Sequence, residues 1–390
     1  MEFKETPNFI KEIKEQPKVL ANTLALYLAP NFQLKMNRPP LDDQTLGRVG
    51  KVYIAACGAS YHAGLAARGL IEEWAQLPVV VEPASECGRR RLMVDEATLA
   101  VGVSQSGRSR ETLAALELAG RRGAVTLAVV NQSPSPLTEA ADGALTTLAG
   151  QVRTLSSTKA FTTQTLVMGL LALRLAQRRG LSKDDRRRAL DELSRLPELF
   201  RHALRAEEQV QAAARLLIGC SHAFLLARGH LLPIVYEGAL KLKEIAKFHA
   251  EGCSAGEFGH GPLAIVGPDT PAMLIAFDDE LDAGHLDLAV ELKARGVPLI
   301  LLSEDGPKKD QALAGLADLF VPLPPTPPSL RPLTAVAPLQ LLAYHAGRLK
   351  GLDVDHPGGL LHGDAVLVPE ADGPSAERSP PTFAPAGGGA

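Results

Sequence analysis

The chain repeats its own plan, and an internal repeat constrains a fold more than any single motif does. Val52 to Ala56 is a short apolar run rich in strand formers, broken by Cys57-Gly-Ala-Ser60 and followed by a helical pattern from Ala63 to Gln76. Ala223 to Ala227, then Arg228-Gly-His230, then a helix over Tyr236 to Phe248 follow the same order. Further on, Gly123 to Asp142 is matched by Gly296 to Asp318: glycine, apolar strand, polar turn, short helix ending in Ala-Asp, then another apolar strand. Strands alternating with helices in this way call for parallel sheets covered on both faces. The expected fold class is therefore α/β, with two halves that are each a parallel-sheet, three-layer α/β/α sandwich.

The 390 residues, 46% of them hydrophobic, suffice for two such cores. Residues 1–46 read as a helical lead punctuated by Pro39-Pro40, 47–180 as the first half, and 218–350 as the second. Between them, 181–217 is rich in Arg, Leu, Glu and Ala without strand signals and reads as a helical connector. Six prolines among the eleven positions 322–332 make a rigid connection before a helix over Leu333 to Lys350. Residues 351–370 form a C-terminal loop, and 371–390, mostly Pro, Gly, Ser and Ala, have too little to bury to be ordered.

Lys plus Arg number 41 against 44 Asp plus Glu, so no basic field argues for nucleic acid or an anionic membrane as partner. A small ligand is the better expectation. Cys57, Cys87, Cys220 and Cys253 lie far apart without clustered histidines, which argues against a disulfide framework and against a metal site. The amino terminus lacks an apolar signal core and no apolar run approaches membrane-spanning length, so a soluble cytoplasmic protein with reduced thiols is expected.

The chemistry concentrates after the second repeat's first strand. On a helix over 236–248, Glu237, Lys241, Glu244 and Phe248 share one face, while Leu242, Ile245 and His249 form an adjacent stripe that can pack on a sheet. Two carboxylates and an ammonium then stand at the edge of the core facing a cleft, and the following loop supplies His260. The competing reading is a solvated Glu-Lys helix pair, a common device that adds only a few tenths of a kcal/mol.

A second constellation suits an anion. The buried strand Ala100 to Val103 runs into Ser104-Gln105-Ser106-Gly-Arg-Ser109 before a helix over Glu111 to Arg121. Hydroxyls and backbone N–H groups at a helix N-terminus, at the carboxyl edge of a parallel sheet, suit a phosphate. Ser60 after the first strand, and Ser156, Ser157 and Thr158 before a helix over Ala160 to Gln177, can converge there; for the last three, plain helix capping is the favoured alternative. No Gly-Lys-Ser/Thr follows and the glycine spacing after Cys57 is wrong for a dinucleotide, so nucleotides are not expected.

From about Phe9 to Val368 the chain resembles the sugar-isomerase (SIS) half of the glucosamine-6-phosphate synthase family, which has two SIS subdomains. Five strings carry the resemblance: Cys57 to Leu65, Ser104 to Gly107, Ser157 to Gln164, Glu237 to Ile265, and Pro338 to His345 with Asp353-Val-Asp355. The resemblance implies that Glu244 moves the proton between C1 and C2 of an open-chain hexose phosphate beside Lys241, and that His260 opens the sugar ring from the partner subunit of a homodimer. Ser60, Ser104, Gln105, Ser106 and Ser109 fall on positions that hold the 6-phosphate, and 351–370 on the active-site loop. No cofactor is implied.

Two departures qualify it. The family's glutaminase domain, which begins with a cysteine nucleophile, has no counterpart in a chain beginning Met1-Glu-Phe, so ammonia is expected free or from a separate glutaminase. Where the family places an imine-forming lysine this chain has His362, and imidazole forms no such imine; Lys159 and Lys350 are the candidates to substitute. The expected function is interconversion of fructose-6-phosphate plus ammonia with glucosamine-6-phosphate. The alternatives are an isomerase or deglycase of another 6-phosphosugar, and a SIS module that only senses phosphosugar.

Overall fold

A computed structural model describes residues 6–36, 39–89, 91–277, 283–305 and 311–360. His362, the second half of the C-terminal loop and the tail 371–390 lie outside them.

Ahead of the first sheet come α1 (Asn8–Tyr27) and the short α2 (Asp43–Leu46). The first half then runs β1 (Lys51–Ala56), α3 (Gly58–Ala75), β2 (Val79–Pro83), β3 (Thr98–Ser104), α4 (Arg110–Arg121), β4 (Val125–Val130), α5 (Pro136–Ala140), β5 (Gly143–Thr146) and α6 (Lys159–Arg178). Helices α7 (Lys183–Ala203) and α8 (Glu207–Ile218) connect it to the second half. That half runs β6 (His222–Ala227), α9 (Leu232–Ala246), β7 (His249–Ser254), β8 (Ala272–Ile275), α10 (Ala283–Ala294), β9 (Leu299–Glu304), α11 (Gln311–Leu316), β10 (Leu319–Leu323) and α12 (Arg331–Leu349).

Both sheets are five-stranded and parallel, and their orders are the same plan twice: β2-β1-β3-β4-β5, and β7-β6-β8-β9-β10. Strand interiors such as Val125–Val130 and Leu299–Glu304 are apolar on both faces, as sheets covered on both sides require. Helix α6 is buried along residues 159–176, which fits the apolar run Leu166–Leu173 at its centre. It packs on α3 and α1, while α12 packs on α8 and α9. The amino-terminal helix is part of the body, since α1 lies against α6, α7 and α12. Each order reverses direction beside its first strand, between β1 and β3 and between β6 and β8. The carboxyl ends of strands at such a switch point open a crevice where ligands of α/β sheets bind.

Two local expectations fail. The helix expected from Ala63 begins at Gly58, so Ser60 sits in its first turn. The helix expected to reach Phe248 stops at Ala246, because Lys247 takes a left-handed conformation (φ 47°) and turns the chain. Phe248 therefore leaves the Glu237 face, and His249, expected on a helical stripe, starts strand β7, which pairs with β6.

Candidate active site

Helix α9 places Glu237, Lys241 and Glu244 on one face, but with graded exposure. Glu237 is 0% and Lys241 1% exposed at the side chain, while Glu244 keeps 18%. The expectation of a charged stripe along a cleft is thus corrected: two members are interior, and the third alone reaches solvent. The solvated-pair reading fails for the same reason.

Burial on this scale demands partners for every charge. Lys241 Nζ lies 2.5 Å from Glu244 Oε2 and 3.4 Å from Glu237 Oε1. His62, on α3, places Nδ1 2.8 Å from Glu237 Oε2. Ser156 Oγ accepts from Lys241 Nζ at 3.1 Å and donates to Glu244 Oε2 at 2.5 Å. Desolvation alone would raise the carboxyl pKa of Glu237 and lower that of the Lys241 ammonium. Their mutual attraction, with His62 and Glu244 adding to it, outweighs this and holds Glu237 below and Lys241 above their ordinary values. The array draws on both halves, His62 and Ser156 from the first and the α9 residues from the second.

Ser156 and His62 were missed from the sequence as members of this cluster. Ser156 was read with Ser157 and Thr158 as able to converge on the phosphate site, with helix capping the favoured alternative, and the capping reading is corrected: Thr158 is the first residue before α6 and makes no side-chain cap, and its hydroxyl is buried without a hydrogen-bond partner among the described residues. Ser157 is half-buried, without a side-chain hydrogen bond among the described residues. The segment is instead held from α1. The buried Glu12 accepts from Arg153 N at 2.6 Å and Thr154 Oγ1 at 3.0 Å, and burial pushes its carboxyl upward.

The lysines proposed to substitute at position 362 are engaged elsewhere. Lys159 Nζ donates to Glu15 at 2.8 Å and to the Gln151 carbonyl at 2.9 Å, and Lys350 Nζ to the Lys247 carbonyl at 3.0 Å. His260 ends the short turn Phe258–His260, exposed, with no side-chain hydrogen bond among the described residues.

The phosphate candidates occupy the first switch point. Ser60 lies in the first turn of α3, after β1; Ser104 ends β3, the adjacent strand, and Gln105, Ser106 and Ser109 follow it. Ser109 Oγ stands 3.8 Å from Cys57 Sγ, which ties the two strand ends together. Ser104 Oγ accepts from Gly107 N at 3.1 Å and Ser106 Oγ from Arg108 N at 3.2 Å, so each hydroxyl keeps its own proton to give. Ser109 precedes α4 without capping it through its side chain. Gly107 has φ 67°, and a Cβ there would stand 2.1 Å from Ser135 Oγ, so only glycine fits the loop. No group of three or more metal-ligating side chains, and no helix long and apolar enough to cross a membrane, occurs among the described residues.

The SIS domain family model matches residues 46–174 and 216–347. A glutamine–fructose-6-phosphate aminotransferase (isomerizing) of Pseudomonas syringae is 40% identical over 355 residues, covering 90% of this chain and 57% of its own length. The enzyme of the same name from Caldanaerobacter subterraneus is 36% identical over 352 residues, again 57% of its length. The chain thus spans little more than half of these curated relatives. Among solved structures, the C-terminal domain of glucosamine-fructose-6-phosphate aminotransferase from Francisella tularensis superposes with a TM-score of 0.84 at 32% identity, covering 90% of this chain and 99% of that domain. A glucosamine-6-phosphate deaminase of Thermotoga maritima shares the fold, with a TM-score of 0.71 at 21% identity over 91% of this chain and 98% of its own.

Proposed function

Because the chain belongs to the SIS domain family, matched in both halves, we propose that it is an aminosugar-phosphate enzyme interconverting fructose-6-phosphate plus ammonia with glucosamine-6-phosphate. The observation that carries this reading is Glu244: one oxygen is held by Lys241 and Ser156, and the side chain still reaches solvent on a rigid helix. Aldose–ketose conversion needs a base that reaches two adjacent carbons, and a fixed carboxylate supplies it. Lys241, interior and bonded to Glu244 and Ser156, holds that carboxylate in place, and its positive charge stabilises the negative charge that develops nearby. The relatives whose names specify fructose-6-phosphate support this choice of sugar.

In this reading the 6-phosphate sits at the first switch point, on the hydroxyl protons of Ser60, Ser104, Ser106 and Ser109 and the N-terminus of α4, with Gln105 beside it. His260 opens the sugar ring in the partner's site of a homodimer, a role supported by its exposure and by the lack of a side-chain hydrogen bond to it among the described residues. Nitrogen enters or leaves as ammonia, free or exchanged with a separate glutaminase.

The test is ammonia release from glucosamine-6-phosphate by the purified protein, with fructose-6-phosphate followed in the same reaction. Matched appearance of both supports the proposal. Absence of both in both directions, with sugar-phosphate binding intact, would replace it with another 6-phosphosugar or with a binding module.

A further inference from the structure

A proton shuttle between C1 and C2 works only if one atom can reach both carbons, and a carboxylate offers two oxygens that swap by rotation. The terminal torsion of glutamate is broad and nearly two-fold, so nothing intrinsic to the side chain keeps one oxygen in place. In this protein something does. Lys241 Nζ and Ser156 Oγ both lie 2.5 Å from Oε2 of Glu244, and Oε1 has no hydrogen-bond partner among the described residues.

The direction of the Ser156 bond follows from its neighbours. The Lys241 ammonium has only protons to give, so at 3.1 Å it donates to Ser156 Oγ. The hydroxyl's single proton then goes to the carboxylate. Ser156 is buried, and its carbonyl lies 3.2 Å from Thr154 Oγ1, which Glu12 fixes to α1.

We propose that Ser156 is a positioning residue that divides the work of the two oxygens of Glu244, tethering Oε2 so that Oε1 carries the proton. The inference rests on the aminosugar-phosphate reading. In the deaminating direction, Oε1 takes the proton from C2, the C–H electron pair becomes the C1–C2 double bond, and the carbonyl pair moves to O1, which takes up a proton. The proton on Oε1 then returns to C1 as the nitrogen pair forms the C2 iminium, whose released N–H proton balances the one O1 took up, and water hydrolyses the resulting imine to ketose and ammonia. A tethered carboxylate returns part of what it takes; a freely turning one exposes its proton to solvent.

The experiment is turnover of glucosamine-6-phosphate in D2O by the native protein and by Ser156→Ala, with deuterium at C1 of the product read by NMR. Loss of a hydrogen bond to a charged group should lower kcat by about tenfold or more, with KM changed less than about threefold. The fraction of hydrogen transferred directly from C2 to C1 should fall as well. Native-like kcat in the variant, a fall in kcat with unchanged direct transfer, or a native enzyme with no direct transfer would each overturn the inference. A native protein that turns over no aminosugar phosphate would remove the parent reading and the inference with it, and that outcome is seen before any variant is made.

Discussion

Nδ1 of His62 lies 2.8 Å from Oε2 of Glu237, and this bond joins α3, which carries Ser60, to α9, which carries Glu244. Glu237 is fully buried, so its carboxylate depends on His62 on one side and Lys241 on the other. His62→Ala leaves a buried acceptor half satisfied, which should cost about 1–3 kcal/mol in urea unfolding and lower kcat by loosening Lys241. In His62→Asn an amide N–H stands near the place of Nδ1, and most of both losses should be recovered. Equal behaviour of the two variants would show that the bond does not matter.

The buried pair also sets a pH window. Glu237 is held below its ordinary 4.5, so its stabilising part is present above that value and is lost as pH falls through the lowered folded value. Lys241 is held above its ordinary 10.5, so its part is present below that value and is lost as pH rises through the raised folded one. Lys241→Met strands a buried carboxylate and should cost about 3–5 kcal/mol. Adding Glu237→Gln should restore part of that loss, and in the double variant this contribution to the pH dependence should vanish. Thermal unfolding from pH 3 to 11 checks the sign; a double variant no more stable than Lys241→Met alone would contradict the pairing.

Much of the fold was legible because hydrophobic period and the internal repeat are local signals. The β1 and β6 runs, each followed by a glycine turn and a helix, predicted paired parallel sheets, and both sheets share one strand order. What failed was local in another sense. Lys247 ends α9 in a left-handed turn that pattern alone does not announce, since a non-glycine residue occupies it. Strand β7 was hidden because His249, Glu251 and Cys253 break its apolar character.

The candidate site was legible where its members share one helix. Glu237, Lys241 and Glu244 follow from spacing on α9, whereas His62 and Ser156 reach them across 175 and 88 residues of chain. No periodicity reports such a contact. Nor could sequence say that Lys241 is interior, because a Glu-x-x-x-Lys pattern is the same string in water and in a core. A buried cluster requires charge balance, and a search for polar residues opening helices of the other half would have pointed to His62.

The loop after β3 is built around Gly107. Its positive φ lets its N–H reach Ser104 Oγ while the loop passes Ser135, and Leu137 N donates back to the Gly107 carbonyl at 3.0 Å. Gly107→Ala drives a methyl into Ser135 and should cost about 1–3 kcal/mol, with KM for every 6-phosphosugar rising and kcat changing less. Ser104→Ala with Ser106→Ala should raise KM similarly, Ser104→Ala also removing the acceptor for Gly107 N. Unchanged sugar-phosphate affinity in the double serine variant would sink the phosphate site without touching the acid/base assignment.

Asp355, near the end of the described chain, caps α1 at its beginning: its carboxylate accepts Asn8 N at 2.7 Å and Phe9 N at 2.8 Å. The residue before the helix, Pro7, offers no side-chain cap, so the N-terminal N–H groups and the positive end of the helix dipole are satisfied from 347 residues away. The same helix carries Glu12, which holds the loop bearing Ser156, and Lys247 Nζ donates to the Gly358 carbonyl beyond the cap. Asp355→Ala should cost about 1 kcal/mol and fray the first turn of α1, seen as faster amide hydrogen exchange there. Asp355→Asn keeps an acceptor without the charge and should fall between the two. Because the frayed turn lies one turn before Glu12, kcat should drop modestly in Asp355→Ala, and a variant with faster exchange but native kcat would show that the cap and the site are independent.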